Sequence, residues 1–485
     1  MDFLPDIRSD TSTHVKHICI IGAGAAGLAA LKAIVETAEY EAGSWVPVVY
    51  EAREDVGGVW LPSLPTGNPP ATPMYDSLTT NLPHPVMAFT SFSFPPSTPL
   101  FPPASTVLAY LKAYVENFSL TQHIRLNTSV KDLHWDPVSC KWKVELSSAQ
   151  NPLDYDFVVV GNGHYNLPRF PELPGLPKWL AEGKAVHSAW YRHPDNLGST
   201  VLVLGGGPSG TDISAEMLET ARTVIHSVPG APAQDDHDGR LQRRGRLVEL
   251  TSDGHAVFED GRRDAVDYCI LATGYQISFP FLEPHTMPVQ LPPPVPPLPR
   301  ELCNSEYHVF PLAKHLFPIQ STFPPTSIVF MGLQKRVAPL PLLEAQARAV
   351  VRVFSDPGAL DPTREAVGIV TRYEELKAAC GDDQLAIAKA WHTTPDGEQF
   401  DYRDEMYAFA GGEPRVVVAD WERDMYEQKG VLRAAWRELE RTGEADGWVK
   451  GVGEGGNGEW VDMMKRLLRH AEKQSEQGIE ELSKL

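Results

Sequence analysis

Residues 16–51, KHICIIGAGAAGLAALKAIVETAEYEAGSWVPVVYE, decide the fold. The apolar run KHICII leads into a glycine-rich turn, the turn leads into a helical stretch, and a second apolar run, VPVVYEA, follows. Short apolar runs bounded by glycine turns favour buried strands. The stretch therefore predicts a strand–turn–helix–strand unit, which is typical of an α/β fold.

The turn carries the spacing GxGxxG at Gly22, Gly24, Ala25 and Gly27. The first glycine allows a tight turn, the second lets a pyrophosphate approach the backbone, and the third lets the helix pack on the strand. The helix N-terminus presents unpaired amides to the phosphates. Glu51 ends the next strand, where a carboxylate accepts hydrogen bonds from ribose hydroxyls. We interpret this unit as a dinucleotide site.

A second unit of the same kind spans residues 200–228. Its apolar strand runs into a turn and a helix, and the turn contains Gly205, Gly207, Pro208, Ser209 and Gly210. The following strand ends at Ser227 and not at a carboxylate. Because no acid stands there to repel it, the extra phosphate of NADPH would be tolerated.

The sequence leaves open which cation binds that phosphate. Arg222 lies too early, on the helix side of the unit. Three other arginines lie in a charged segment, residues 233–246, beside several aspartates: Arg240, Arg243 and Arg244. A solvated loop of mixed charge explains this segment equally well.

Two dinucleotide sites in one chain predict electron flow from nicotinamide to a bound flavin. A disulfide reductase, a monooxygenase or a pyridine nucleotide oxidase would use such a pair. The five cysteines, at positions 19, 140, 269, 303 and 380, include no close pair, which argues against the reductase. The electrons are therefore expected to reach dioxygen or a small acceptor.

Composition sets further limits. With 485 residues, the chain is too long for a single hydrophobic core, and a hydrophobic fraction of 42% excludes global disorder. The net charge of −20 disfavours nucleic acid and is compatible with a cationic amine substrate. The few unpaired cysteines and the start MDFLPDIRSD, which is unlike a secretory signal, predict a soluble cytoplasmic protein without a metal site.

Three segments carry no chemistry that we can assign from the residues. The uncharged run 85–111 contains several prolines, so we expect a loop over the fold and not a membrane span. The proline-rich stretch from Pro280 to Pro299 is interpreted as a connector, with a docking site for a proline-binding module as the alternative. The part after Phe354 is predicted to be mostly helical.

Several motifs, in this order, resemble the class B flavin-dependent monooxygenases and, among them, the flavin-containing monooxygenases. They cover about residues 16–350: GAGAAG, EAREDVGGVW, NLPHPVMAF, GNGHYNLPRFPELPG, HSAWY, GGGPSGTDI, DYCILATGY and MGLQKRVAPLPLLEAQA. The resemblance implies two Rossmann-like domains and a helical C-terminal extension. We assign residues 1–165 and 280–354 to an FAD-binding domain, 166–279 to an inserted NADPH-binding domain, and 355–485 to the extension.

The resemblance also implies roles for particular residues. Asn81 matches the active-site asparagine, whose amide can hydrogen-bond at the flavin edge. Gly58 and Trp60 resemble a second flavin-contacting turn, and Gln334 resembles the segment before a helix directed at the flavin. The pattern DxxxLATGY, which includes Thr273 and Gly274, supports the superfamily and has an expected structural role.

The family's motif FxGxxxHxxxY is present without its phenylalanine. Ala181 replaces that residue, whereas Gly183, His187 and Tyr191 are kept. We count His187 and Tyr191 as cofactor-site residues, although a structural histidine that links the two lobes is the better interpretation of His187 alone. Baeyer–Villiger enzymes have tryptophan in the place of Tyr191, and here Trp190 lies one residue earlier, which favours heteroatom oxidation.

The function that the resemblance implies is an NADPH- and oxygen-dependent monooxygenation. FAD would be reduced by NADPH, would form a hydroperoxide with dioxygen, and would oxygenate a nucleophilic nitrogen or sulfur of a small molecule. The alternatives are a Baeyer–Villiger monooxygenase, an uncoupled NADPH oxidase, and a nucleotide-binding sensor without catalysis. No nucleic acid or membrane partner is expected, and a homodimer is possible.

Overall fold

The computed structural model describes residues 15–282, 286–412 and 416–482. The start MDFLPDIRSD, from which we expected no secretory signal, lies outside the described residues. In the part of the chain that is described, no helix has the length and apolarity needed to cross a membrane.

The strands follow the chain in this order: β1 Lys16–Ile21, β2 Trp45–Tyr50, β3 Ile124–Arg125, β4 Val130–Asp136, β5 Lys141–Leu146, β6 Leu153–Tyr155, β7 Phe157–Val160, β8 Leu167–Pro168, β9 Ala185–His187, β10 Thr200–Leu204, β11 Thr223–Ser227, β12 Gln234–Asp236, β13 Leu241–Arg244, β14 Leu247–Leu250, β15 His255–Phe258, β16 Arg263–Ala265, β17 Tyr268–Leu271, β18 Tyr275–Gln276, β19 Cys303–Asn304, β20 Val309–Phe310, β21 Leu312–Ala313, β22 Phe317–Pro318 and β23 Ile328–Phe330.

The α-helices are α1 Ala25–Val35, α2 Ala38–Glu41, α3 His84–Met87, α4 Ala104–Asn117, α5 Leu176–Ala181, α6 Pro208–Glu216, α7 Pro339–Ser355, α8 Pro362–Cys380, α9 Gln384–Trp391, α10 Glu398–Ala410, α11 Asp420–Glu427, α12 Lys429–Thr442, α13 Ala445–Val449 and α14 Asn457–Leu482.

The first parallel sheet has the strand order β23-β7-β1-β2-β3. The predicted strand β1 lies between β2 and β7, so that Ile20 is paired with Val49 on one side and with Val159 on the other. Residues of β1 are buried on both faces, which explains why the strand is apolar throughout. The strand–turn–helix–strand unit predicted from residues 16–51 is confirmed.

The second sheet has the order β12-β13-β11-β10-β17-β9, and four of its five pairings are parallel, all but that of β12 with β13. The repeated unit at residues 200–228 is therefore also confirmed, and the chain has the predicted α/β fold. The charged segment 233–246 was expected to be a loop, and this expectation is wrong. Its residues form β12 and β13, because Leu241 is buried and β13 pairs with β11.

The region after Phe354 is mostly helical, as expected, but it is not a separate layer. Residues of α8 to α14 belong to the same hydrophobic cluster as α1, α4 and the first sheet. The Trp460 ring of α14 packs edge-on against the His84 ring, with 4.3 Å between their centroids. The helical region therefore completes the core around the first parallel sheet, which we call the first lobe. The region around the second sheet is the second lobe.

The uncharged run 85–111 is only partly the loop that we expected. It begins within α3 and ends within α4, and buried aromatic residues fix the segment between these helices. The buried carboxylate of Glu344, on α7, accepts hydrogen bonds from the amides of Thr90 (2.7 Å) and Ser91 (3.2 Å). Lys32 lies 3.7 Å from the other carboxylate oxygen. These contacts hold the run against the first lobe.

Buried histidines are a recurring feature of this fold. Burial lowers the pKa of His84, His308 and His315 to about 3, and that of His164 and His187 to about 4. Burial, together with neighbouring cationic groups, also holds the pKa of His392 well below its usual value. In the unfolded chain these groups take up protons near pH 6.5. Because the folded state resists protonation, acid stabilises the unfolded state.

We expect stability to fall as the pH drops below about 6.5, and His84→Phe to reduce this dependence. His84 packs between the rings of Phe94 and Trp460, where phenylalanine is compatible with the surroundings. In His84→Phe, one proton fewer is taken up on unfolding. The slope of the unfolding free energy against pH is therefore lower by about 1.4 kcal/mol per pH unit between pH 6 and 4. Urea unfolding at several pH values measures this slope. The same substitution at the half-exposed His134 is the control, and equal slopes in the two variants would contradict the expectation.

Candidate functional site

A cavity of about 1610 Å³ is lined by residues that follow strands of both sheets. The carboxyl ends of four strands of the first sheet open into it, at Ile21, Tyr50, Gly161 and Met331. The second sheet contributes Gly206 and Gly207, which follow β10. Ligands of open α/β sheets bind at this position, outside the carboxyl ends of the strands.

The first glycine turn contributes Gly22, Gly24 and Ala25 to the cavity wall. Gly22 has φ +95°, and a Cβ there would lie 2.8 Å from the Gly161 carbonyl oxygen. A Cβ on Gly27 would lie 1.9 Å from the Gly22 carbonyl oxygen, so α1 starts in direct contact with the turn. Gly27 itself does not line the cavity. Its place in the spacing is explained by helix packing.

The second turn has the same construction. A Cβ on Gly210 would lie 1.9 Å from the Gly205 carbonyl oxygen, and Gly205 has φ +126°. Gly207 and Pro208 line the cavity, and a Cβ on Gly207 would meet no atom within 4 Å. The backbone at Gly207 is therefore open to a ligand. Both turns thus fit the pyrophosphate of a dinucleotide.

Glu51 follows β2 directly and is buried at the cavity wall. Its Oε2 accepts a hydrogen bond from the Ala23 amide (2.7 Å) and its Oε1 from the Arg53 amide (2.9 Å). The carboxylate is therefore fixed beside the first turn, where the sequence predicted a ribose contact. The Arg53 guanidinium donates to the carbonyl oxygens of Leu61 (2.7 Å) and Pro62 (2.8 Å), which holds the chain after Trp60.

The residues taken from the family resemblance meet at this cavity. Gly58, Trp60, Asn81 and Gln334 all line it. A Cβ on Gly58 would lie 2.8 Å from the Gly24 Cα, so the turn at Gly58 touches the first glycine turn. Gln334 is buried, and its Oε1 accepts from Gln346 Nε2 (2.8 Å). These four predicted positions are thus brought together with the first turn.

The remaining predicted residues lie outside the cavity wall of the described structure: Gly27, His187, Tyr191, Gly205, Ser209, Gly210, Ser227, Thr273 and Gly274. Several of them have internal hydrogen bonds. Ser227 Oγ donates to the Gly245 carbonyl oxygen (2.8 Å), and Thr273 Oγ1 donates to that of Arg169 (2.6 Å). These contacts support the frame of the second turn.

The motif residues His187 and Tyr191 also face inward. His187 Nε2 donates to the Gly274 carbonyl oxygen (3.1 Å), and its Nδ1 accepts from the Ala189 amide (3.1 Å). Its neutral ring joins β9 to the turn after β17, which supports a structural role. The expected link between the two lobes stays a prediction. The Tyr191 hydroxyl donates to Glu216 (2.6 Å) in the core of the second lobe. The structure does not bring either residue to the cavity.

Sequence reasoning missed several residues of the wall. Lys335 and His164 line it, and burial lowers their pKa values to about 8 and about 4, with Arg169 adding to the shift of Lys335 and Lys335 to that of His164. The helical region after Phe354, to which we assigned no chemistry, contributes Asp396, Tyr426 and part of α12. In the sequence, only the spacing of basic residues along α12 could have indicated that this region lines the cavity.

The charge of the wall is opposite to that of the protein. Among the described residues of the lining, six are cationic and three are acidic. The cationic residues are Arg53, Lys335, Arg336, Lys429, Arg433 and Arg437, and the acidic ones are Glu51, Asp212 and Asp396. In a chain of net charge −20, this excess favours anionic ligands such as dinucleotides. The overall acidity is therefore a poor guide to the substrate.

Comparison with known proteins agrees with this geometry. A family model described as "Flavin-binding monooxygenase-like" matches residues 15–231 and 237–421. The chain belongs to this family. The resemblance seen in the sequence motifs is thereby confirmed, and the family implies a flavin cofactor and an oxidoreductase reaction with dioxygen.

Three relatives within this flavin monooxygenase group illustrate the similarity. The chain is 31% identical to flavin-containing monooxygenase FMO GS-OX-like 2 of Arabidopsis thaliana, over 90% of this chain and 95% of that protein. It is 28% identical to the thiol-specific monooxygenase of Saccharomyces cerevisiae, over 83% and 87% of the two chains. The structure of S-allyl-L-cysteine S-oxygenase from Allium sativum superposes with a TM-score of 0.72 at 26% identity, over 95% and 98%.

We expect Gly22→Ala to destabilise the first turn of this flavin monooxygenase and to lower its flavin content. The new Cβ would meet the Gly161 carbonyl oxygen at 2.8 Å, and relief of such a clash costs about 1–3 kcal/mol. Gly43→Ala is a matched control, because Gly43 also has a positive φ (+71°) but no atom within 4 Å of the added Cβ. Urea unfolding and the ratio of flavin to protein absorbance measure both effects. Equal losses in the two variants would show that backbone strain alone is responsible.

Proposed function

We propose that the protein is an FAD-dependent monooxygenase that uses NADPH and dioxygen to oxygenate a nucleophilic sulfur or nitrogen of a small molecule, with sulfur preferred. The observation that carries the proposal is the single cavity that both glycine turns line. Two dinucleotides that bind at these turns would meet inside one cavity. Nicotinamide would then reach the flavin without leaving the protein.

Each part of the wall supports one task. The first turn and Glu51 bind the phosphates and ribose of FAD, and Gly207 leaves the backbone open for the nicotinamide dinucleotide. When bound, FAD accepts a hydride from NADPH and activates dioxygen for transfer of one oxygen atom. The apolar lining, which includes Trp60, Leu342 and Leu343, excludes bulk water from that reaction.

Asn81 is the proposed catalytic residue. Asn81 is exposed and lines the same cavity as Gly58 and Trp60, the turn that we assign to the flavin. The amide group can donate a hydrogen bond to an oxygen atom that gains negative charge. Lys335 supplies a partly buried cation to the same cavity. Both groups stabilise negative charge where dioxygen is activated.

The preference for sulfur is supported by the relatives. The yeast protein is named as thiol-specific, and the Allium protein as an S-oxygenase that acts on S-allyl-L-cysteine. A Baeyer–Villiger reaction has less support, since Trp190 points its indole N–H at the Gly67 carbonyl oxygen (3.2 Å) and does not line the cavity.

Turnover with labelled oxygen tests the proposal. The purified flavoprotein is given NADPH and ¹⁸O₂ together with a thiol, a dialkyl sulfide, a tertiary amine or a ketone. We expect bleaching of the flavin by NADPH and one ¹⁸O atom in a sulfur product, as detected by mass spectrometry. Peroxide in a 1:1 ratio to NADPH with every substrate would identify an oxidase. An ester from the ketone would identify a Baeyer–Villiger enzyme, and absence of bleaching would leave a nucleotide-binding protein.

We expect Asn81→Ala to bind as much flavin as the unaltered protein but to waste NADPH. Loss of a hydrogen-bond donor to a developing oxyanion lowers rates by about 100-fold in other enzymes, so the product formed per NADPH should fall by about tenfold or more. Asn151→Ala, at an exposed position outside the cavity, is the control. Oxygen uptake and peroxide release, measured together, give this ratio. An unchanged ratio would remove Asn81 from the mechanism.

A further inference from the structure

One face of α12 carries three cations at every fourth position: Lys429, Arg433 and Arg437. Residues with this spacing lie on the same side of a helix. All three side chains line the cavity, although they come from the region after Phe354. We call this set the α12 basic face. It brings positive charge to a site otherwise built by the two Rossmann-like lobes.

The α12 basic face has one carboxylate as its ionic partner among the described residues. Arg433 and Arg437 each lie 3.2 Å from the Asp212 carboxylate. The Tyr75 hydroxyl also donates to Asp212 (3.2 Å). Lys429 has its ammonium group 3.9 Å from the centre of the Tyr426 ring. Two of the three cations therefore share one carboxylate, and the third has only a ring contact among the described residues, so that positive charge remains to attract an anion.

The position of Asp212 relates the α12 basic face to the second glycine turn. Asp212 lies on α6, one helical turn after Pro208, where that helix begins. Gly207 and Thr211 line the same cavity. The backbone of Asp212 is thus about one helical turn, or 5.4 Å, from the start of the helix that would bind a pyrophosphate, and the two arginines reach its carboxylate from α12.

The arginines that the sequence offered for a phosphate are engaged elsewhere. Arg244 is buried and paired with Asp235 (2.8 Å) and Asp264 (3.4 Å). Arg243 lies 3.7 Å from Asp236, and Arg240 donates to the carbonyl oxygens of Leu218 and Ala221. None of these three arginines lines the cavity in the described structure. Among the cations of the cavity wall, Arg433 and Arg437 of α12 are the ones that pair with α6, the helix after the second turn, in the described structure.

We propose that the α12 basic face binds phosphate oxygens of the nicotinamide dinucleotide at the second glycine turn. The proposal rests on the proposed use of NADPH. Guanidinium groups form charge-assisted hydrogen bonds to phosphate, and Arg433, with only 15% of its side chain exposed, is shielded from solvent. Asp212 competes with the phosphate for the two arginines. The C-terminal helical region thereby completes the nicotinamide site.

A purely structural role of these ion pairs makes a different prediction. If Arg433 and Asp212 only fastened α12 to α6, removal of either partner would loosen the contact and would weaken ligand binding. If Arg433 binds phosphate, its loss weakens binding, whereas loss of Asp212 removes a competing negative charge and strengthens it. The sign of the Asp212 effect therefore separates the two roles.

The experiment titrates the oxidised flavoprotein with NADP⁺ and with NAD⁺ in a calorimeter, so that no turnover is needed. We expect Arg433→Gln to raise the Kd by about tenfold, as for loss of one charge-assisted phosphate contact. Asp212→Asn should lower the Kd by about threefold or more. A larger effect of Arg433→Gln on NADP⁺ than on NAD⁺ would assign the contact to the 2′-phosphate, and an equal effect would assign it to the pyrophosphate.

Arg441→Gln is the matched control, because Arg441 lies on the same helix, is exposed, and pairs with Glu438. Thermal unfolding and flavin content verify that each variant is folded. Unchanged Kd values in Arg433→Gln and Lys429→Gln would overturn the proposal, as would a weaker complex in Asp212→Asn. If these two variants had a raised KM for a carboxylate-bearing sulfide and unchanged dinucleotide affinity, the α12 basic face would bind the substrate and not the dinucleotide. If the unaltered protein binds neither dinucleotide, the proposed function fails together with this inference.

Discussion

Both glycine turns depend on one close contact, in which the backbone of a helix passes directly over the carbonyl oxygen of the first glycine in the turn. At Gly27 and at Gly210, a Cβ would lie 1.9 Å from that oxygen. No side chain fits there, so each helix begins against its strand and directs its first amides into the cavity. Because the contact occurs twice, the chain has two similarly built helix ends that open into one cavity.

Local sequence determines this part of the structure, and it was therefore predictable. The strands β1 and β10, the two turns, and the cavity positions of Gly24, Glu51 and Gly207 follow from apolar runs and glycine spacing. Asn81 and Gln334 have no such local signal, since an asparagine before Leu82 and Pro83 is equally typical of a turn. Only similarity to a family pointed to them.

Long-range packing determines the rest. The segment 233–246 has the composition of a loop, yet β13 is recruited by the neighbouring edge of β11. The cationic wall of the cavity is hidden in a chain of net charge −20, because its members come from distant segments and meet only in the fold. The basic residues of α12 look like an ordinary solvated helix face. Their partner, Asp212, is more than 200 residues away along the chain.

The strand order of the first sheet has a consequence for synthesis on the ribosome. β7 lies between β1 and β23, and β23 is made only after the whole second sheet, whose strands run from residue 185 to residue 271. The second sheet is continuous in sequence and can close as soon as it emerges. β23 cannot pair with β7 until residue 330 has been synthesised, so the first sheet has an open edge at β7 until then. The lobe around the second sheet can thus fold before the first sheet is complete. During that interval the nascent chain has an exposed strand edge, which a chaperone could cover.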